Sequence, residues 1–390
     1  MIPYGRHHID EDDIQAVAEL LRKGSLSQGP TIDSFERAIA EYVGARYAVA
    51  VSSATAGLHI AAVAAGVGPK TRLVTSPITF VASSNCALYS GGAPAFVDID
   101  PDTINMSPSE LRKTLRSIAG IRAIVPVHYA GLACDMVAIK AAADEAGAVI
   151  IEDAAHALGS RYRDGGLVGN CAHSLMTVFS FHPVKAIAAG EGGLITTNDE
   201  AIYRRLLRLR SHGINKLDDP WQIPEQAEHN GVTNPWYYEM QEIGFHYRIS
   251  DIQCALALSQ FSKLDRFIAR RRQLAETYDR AFAEMKYLRP AQREGRDRSG
   301  LHLYAVRIDF AAAGIDRGSF MRELRKRDIG TQVHYIPVPA QPLYRKMGFK
   351  PEDYPHSLHY YQQALSIPLF YDLTDEQQNK VITAFKDLLA

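Results

Sequence analysis

Apolar positions recur at helical spacing in the first stretch of the chain: Ile14, Val17, Leu20 and Leu21 share one face of Asp10–Lys23, and Gly24 follows. Pro30 opens a second predicted helix, Thr31–Val43, with Phe35, Ile39 and Val43 apolar. From Tyr47 onward short apolar runs alternate with helical patterns. Strands are predicted at Tyr47–Val51, Arg72–Thr75, Pro94–Asp98, Ala123–Val127, Ala148–Ile151, Met176–Phe181 and Leu194–Thr197. Helices fall at Ala56–Ala65, Phe80–Tyr89, Ser109–Ser117, Met136–Ala146 and Glu200–Arg210. Strands separated by helices of this length predict an α/β fold, a largely parallel sheet covered on both faces.

The pattern then weakens. Residues 213–246 are rich in His, Asn, Pro, Trp and Tyr, as in Pro220-Trp221 and Asn234-Pro-Trp-Tyr-Tyr238, and read as a functional loop or a subunit-contact excursion. Ser250-Asp-Ile-Gln253 is a capping box opening one long predicted helix through Ile252, Leu256, Phe261, Leu264, Phe267, Ile268 and Leu274. The run Arg270-Arg271-Arg272 on that helix reads as a solvated face. Past Ala283 a smaller α+β unit is predicted, with strands His302–Phe310 and Thr331–Tyr335 and a helix Arg317–Arg327. A proline-rich connection (Pro337, Pro339, Pro342) and helices near His356–Ala364 and Asp375–Leu389 follow. The expected division is a large α/β domain over 1–250 and a linking helix with a small α+β domain over 251–390.

Composition narrows the function classes. The 390 residues are 46% hydrophobic and 22% charged, with a formal net charge of −1, which argues against nucleic acid or an anionic membrane as partner. No apolar run approaches the roughly 18 residues of a membrane span, and no charged segment followed by an apolar one opens the chain. Cys86, Cys134, Cys171 and Cys254 are widely spaced, with no C-x-x-C pair and no metal-ligand spacing, so a reduced cytoplasm is expected.

Three segments carry candidate chemistry. Lys185 follows the apolar run Thr177–Phe181 and precedes Gly190, Gly192 and Gly193. Its neighbours Val184, Ala186, Ile187, Ala188 and Ala189 are apolar, and desolvation disfavours an ammonium, as a Schiff-base lysine requires. Taken alone it reads as an ordinary surface lysine at a strand-to-loop junction. Asp153 ends the buried run Ala148–Ile151, where an open α/β sheet binds its ligands, and Ala154-Ala155-His156 after it leaves room for a planar group. Alone, it reads equally as a helix-capping Asp beside a solvent-facing His. Val51-Ser-Ser-Ala-Thr-Ala-Gly-Leu-His59 runs from strand into helix and offers backbone N–H groups and hydroxyls to an anion, or simply caps the helix. Neither nucleotide-binding glycine signature is present. A phosphate cradle, a strand-end carboxylate and a desolvated lysine together suit pyridoxal phosphate: the lysine forms the Schiff base, and the carboxylate keeps the pyridine nitrogen protonated.

Leu26-Ser-Gln-Gly-Pro30, Ser53-Ala-Thr-Ala-Gly57, Glu152-Asp-Ala-Ala-His156, Ser180-Phe-His-Pro-Val-Lys185, Gly190-Glu-Gly-Gly193 and Tyr247-Arg-Ile-Ser-Asp251 span nearly the whole chain. In them the sequence resembles the DegT/DnrJ/EryC1/StrS family of sugar aminotransferases, pyridoxal-phosphate enzymes of fold type I. Ile2-Pro-Tyr-Gly-Arg6, His334-Tyr-Ile-Pro-Val338 and Gln341-Pro-Leu-Tyr344 are similar to the branch making UDP-4-amino-4,6-dideoxy-N-acetyl-β-L-altrosamine for pseudaminic acid. The resemblance implies that Lys185 binds the cofactor covalently and shuttles the proton, with Asp153 at the pyridine nitrogen. It places His156 at the ring's 3-oxygen, Phe80 stacked on the ring, and Ala54, Thr55 and Ser180 at the phosphate. It implies Tyr4, His182, His334 and Tyr335 as sugar contacts.

The resemblance also implies a homodimer with the active site at the subunit interface. Many relatives have Asn-Tyr-Arg where this chain has His246-Tyr247-Arg248, and that Asn reaches the partner's phosphate; His246 or Arg248 would replace it. The implied reaction moves an amino group from L-glutamate to C4 of a UDP-linked 4-keto-6-deoxy-N-acetylhexosamine. The alternatives are another nucleotide-linked 4-keto or 3-keto sugar, or a dehydratase or isomerase on the same fold. A dehydrating branch carries His in place of the lysine, so Lys185 favours transamination.

Overall fold

The computed structural model describes residues 1–216 and 219–389. Seven strands form the central sheet: β1 (Tyr47–Val51), β2 (Arg72–Thr75), β3 (Ala93–Phe96), β4 (Ile121–Val125), β5 (Val149–Asp153), β6 (Met176–Ser180) and β7 (Gly193–Thr197). Their order is β1-β7-β6-β5-β4-β2-β3. Pairing is parallel from β3 to β6, and only β7 runs antiparallel to both its neighbours, β6 and β1.

Helices cover both faces, as the alternation predicts. Side chains alternate along a strand, so Ala48 and Ala50 of β1 join one core with Phe35 and Ile39, while Val49 and Val51 join the other with Leu206 and Leu209. The helix α1 (Glu11–Lys23) packs on Asp251–Phe261, and the first core lies under α2 (Pro30–Val43), α5 (Pro108–Ser117) and α6 (Met136–Ala146). The second is closed by α3 (Ala54–Ala64), α4 (Ala82–Tyr89) and α7 (Glu200–Arg210). α4 starts two residues later than the pattern predicts, which leaves Phe80 ahead of the helix and 59% exposed.

Three readings of the C-terminal part are corrected. The predicted long helix is two, Asp251–Phe261 and Leu264–Phe282, broken where Lys263 turns in to the carboxylates of Asp10 and Asp13. Of the arginine run, Arg271 is buried and donates to the carbonyls of His302 and Leu369. Its position, four residues after Phe267 and three before Leu274, places it on the apolar face of that helix. The segment 331–335 is not a strand; it makes one bridge, Gln332 to Ser366, and then lines a cleft. The C-terminal sheet instead pairs Tyr304–Ile308 with Leu288–Pro290 and Ala364–Ile367, two strands the periodicity did not mark.

Long-range ties connect the ends of the chain. Asp251, fully buried, accepts hydrogen bonds from the backbone N–H groups of Gln28, Gly29 and Thr31 at 2.6–3.0 Å, joining two of the sequence motifs. Ile2 bridges Ile329 and contributes to the C-terminal core, whereas Cys254, Leu264 and Ile268 contribute to the core under the sheet. In 213–246, two of whose residues (217 and 218) lie outside the described set, the structure forms two short antiparallel pairs, Glu228–His229 with Val232–Thr233 and Ile214–Asn215 with Glu239–Met240. Val232, Trp236, Tyr238, Met240 and Ile243 stand exposed there. All four cysteines are free and buried. Among the described residues no helix is long and apolar enough to cross a membrane.

Candidate active site

A cleft of about 600 Å³ opens at the carboxyl end of the parallel strands, closed on one side by the C-terminal unit. One end is the start of α3. Ser53 caps the helix by accepting the Ala56 N–H at 3.1 Å, and Ala54 and Thr55 stand in the first turn. The turn into α3 lies directly on β7: a Cβ on Gly193 would come within 2.5 Å of the Ala54 nitrogen, so only glycine permits this approach. Ser180, which pairs with Gly193 across β6 and β7, lines the same end.

Asp153 is the last residue of β5 and is buried. Its carboxylate accepts the Ser83 hydroxyl at 2.6 Å and the Ala155 N–H at 3.1 Å, and Ser83 lies 2.6 Å from Thr79. The preceding Glu152 points the other way, into the core, where it meets His128 at 2.7 Å and takes the hydroxyls of Tyr162, Ser174 and Thr177. That cluster anchors the strand end that presents Asp153. Lys185 sits in the turn after β6, its backbone N–H held by the His182 carbonyl at 2.9 Å. Burial lowers its amine from the ordinary 10.5 to about 8, against the opposing pull of the Asp153 carboxylate. A lysine so placed has roughly a tenth of its amine free at pH 7, far more than an ordinary lysine.

The C-terminal unit supplies the opposite wall. His334 is held by Ser366 at 2.8 Å, its backbone carbonyl accepts the buried Tyr129 hydroxyl at 3.0 Å, and Tyr4 packs on its ring at 5.4 Å. Tyr4 is fixed in turn because its carbonyl accepts the Leu369 N–H. Burial, then the Lys185 charge, lowers His334 to about 3. His156 lies against His302, with ring centroids 4.3 Å apart, and its Nε2 is 3.1 Å from the Tyr335 hydroxyl. Burial holds both His156 and His302 far below the ordinary histidine value, so both are neutral.

The cleft therefore brings together Tyr4, Ala54, Thr55, Phe80, Asp153, His156, Ser180, His182, Lys185, His334 and Tyr335. His246 and Arg248 do not line it; His246 is exposed, its ring stacked on His212 at 5.3 Å. Sequence reasoning missed Ser83, which holds Asp153, and His302, which backs His156. Ser83 carried no signal, being one serine inside a helix. His302 stood at the start of a predicted strand.

Residues 7–386 match the DegT/DnrJ/EryC1/StrS aminotransferase family. The chain is 37% identical over 390 residues to the spore coat polysaccharide biosynthesis protein SpsC of Bacillus subtilis, covering 100% of this chain and 97% of that one. Among solved structures it is similar to Helicobacter pylori PseC, an aminotransferase involved in the biosynthesis of pseudoaminic acid. The TM-score there is 0.89 at 29% identity, with 100% and 99% of the two chains covered. It is also similar to the sugar aminotransferase Spr1654 of Streptococcus pneumoniae, solved in PMP and PLP forms. The PMP form gives a TM-score of 0.88 at 27% identity, covering 100% and 99%.

Proposed function

We propose that this chain, which belongs to the DegT/DnrJ/EryC1/StrS aminotransferase family, moves an amino group from L-glutamate to C4 of a UDP-linked 4-keto-6-deoxy-N-acetylhexosamine on the route to pseudaminic acid. As a family member it is a pyridoxal-phosphate-dependent sugar aminotransferase of fold type I. The residues fit that cofactor. Gly193 leaves the α3 amino terminus free of any Cβ, a buried carboxylate stands at one side, and a depressed lysine amine faces the same cleft. The carrying observation is this convergence of Lys185, Asp153 and α3. The sugar assignment is supported by full-length similarity to PseC and by the Tyr4 and His334–Tyr335 segments on the cleft wall.

In this reading Ala54, Thr55 and Ser180 hold the phosphate through backbone N–H and hydroxyl groups. Phe80, ahead of α4 and free of the core, would stack on the ring. Asp153, its carboxylate oriented by the Ser83 hydroxyl and the Ala155 N–H, would hold a proton on the pyridine nitrogen. The cofactor, when bound, supplies an electron sink and carries the amino group between donor and keto-sugar. Lys185 Nζ takes the proton from the donor carbon and returns one at the sugar C4, which its free-amine form permits. Tyr4, His182 and His334 orient the sugar, and the neutral state of His334 lets it bond hydroxyls without repelling Lys185. We assign the cross-subunit phosphate contact to His246 or Arg248 of a second copy, with the exposed apolar residues of 213–246 as the surface that copy covers.

The test is a panel of UDP- and dTDP-linked 4-keto-6-deoxy sugars offered with glutamate. Release of 2-oxoglutarate and the C4 configuration of the product by NMR are the readouts. Turnover of the UDP-linked N-acetylhexosamine is expected; turnover confined to dTDP sugars would reject the sugar assignment, and consumption without 2-oxoglutarate would reject transamination.

A further inference from the structure

One hydroxyl proton in the cleft has its direction set by the surrounding hydrogen bonds. The Ala130 N–H donates to His156 Nδ1 at 3.3 Å, so that nitrogen carries a lone pair. The ring is neutral, so its proton sits on Nε2, which faces the Tyr335 oxygen at 3.1 Å and donates to it. Burial and the Asp153 carboxylate keep the Tyr335 phenol protonated. Its own proton then points away from His156. Among the described residues no acceptor for it is recorded, and Tyr335 lines the cleft. The arrangement is braced: His156 packs on His302 and lies within 17° of the Tyr335 ring plane, and the preceding carbonyl, that of His334, is tied to Tyr129.

We propose that Tyr335 is the hydrogen-bond donor to the phenolic oxygen of the cofactor ring, and that His156 is a positioning residue acting through it. The inference rests on the functional reading above and changes one part of it: both nitrogens of His156 are already engaged, so the contact that the resemblance gives to His156 passes to Tyr335. The ring's chemistry agrees. In pyridoxal phosphate the phenolic oxygen and the phosphate arm flank the aldehyde carbon on opposite edges. The cleft offers amide N–H groups at α3 for one edge and the Tyr335 O–H for the other. Asp153 at the ring nitrogen and Lys185 at the aldehyde carbon fill the remaining positions.

The experiment uses the full-length protein loaded with pyridoxal phosphate, whose visible absorption band is titrated with pH. A donor to the phenolic oxygen stabilises its ionised form, so its removal raises the midpoint. Tyr335→Phe is expected to raise it by about 1 pH unit and His156→Leu by less. His156→Gln should stay near wild type, since a glutamine amide can accept the Ala130 N–H and donate to Tyr335. In the cofactor-free protein, ¹⁵N NMR of labelled histidine should place the His156 proton on Nε2. An unmoved midpoint in Tyr335→Phe, or a proton on Nδ1, overturns the inference alone. Absence of any visible band on adding pyridoxal phosphate to the wild type overturns the functional reading and this inference with it.

Discussion

At the residue scale the chemistry depends on how burial treats two opposite charges. Lys185 and Asp153 share one cleft, yet the lysine loses its proton readily because its desolvation outweighs the attraction of the carboxylate. The sign sets a pH dependence. Capture of added pyridoxal phosphate by the cofactor-free enzyme should rise about tenfold per pH unit as the amine is freed, and level off above about 8. A stopped-flow pH series checks this; a rate still climbing past pH 10 would contradict the depressed amine. The unfolded chain binds more protons than the folded one between about 8 and 10.5, so this group makes stability increase with pH across that window. Lys185→Ala should abolish turnover, measured by 2-oxoglutarate release, while the cofactor can still bind noncovalently. Asp153→Asn keeps an oxygen for the Ser83 hydroxyl but cannot hold the pyridine proton. Turnover should fall by several orders of magnitude with unchanged circular dichroism, and equal activity would refute the pairing.

At the element scale the site is assembled from strand ends and one helix start, and glycine decides how closely they approach. β7 runs antiparallel beside β6 and delivers Gly193 beneath the Ser53–Ala54 turn. Gly193→Ala would press a methyl against backbone atoms that cannot swing aside, displacing α3 from the phosphate end. A loss of pyridoxal phosphate affinity of at least about tenfold, with a cost of about 1–3 kcal/mol in stability, is expected from equilibrium titration and urea unfolding. Most helices and strands around this point were readable from periodicity, because each has one apolar face and a turn signal at its end. The failures share a cause. Lys263 breaks a helix to reach two carboxylates distant in sequence, and Arg271 enters an apolar face because carbonyls await it there. Leu288–Pro290 and Ala364–Ile367 are strands because Tyr304–Ile308 pairs with them. Such partners are invisible to local pattern.

At the scale of the whole molecule, a single chain leaves His246 and Arg248 outside the cleft and a set of large apolar side chains in water. If these groups serve the neighbouring site, two defective chains should complement each other. Mixing Lys185→Ala with the double variant His246→Ala/Arg248→Ala would form hybrid dimers in which one site has an intact lysine and an intact cross-subunit donor. Activity is expected to appear on mixing, followed by 2-oxoglutarate release, and to be absent from either parent. Continued silence after subunit exchange, confirmed by mass spectrometry, would show that the two residues serve their own chain and not the neighbouring site.

The sequence by itself determined the α/β alternation and the aminotransferase family, and it singled out Lys185, Asp153 and the α3 start as candidates, because these lie in short contiguous motifs that together match one family. Tertiary structure alone decided how they are brought together: the Ser83 bond to Asp153, the strand order that brings Gly193 to Ser53, and the hydrogen bonds from Ala130 to His156 and between His156 and Tyr335. Those depend on contacts between residues tens to hundreds of positions apart. Burial and hydrogen-bond direction are properties of the packed molecule, not of any stretch of chain.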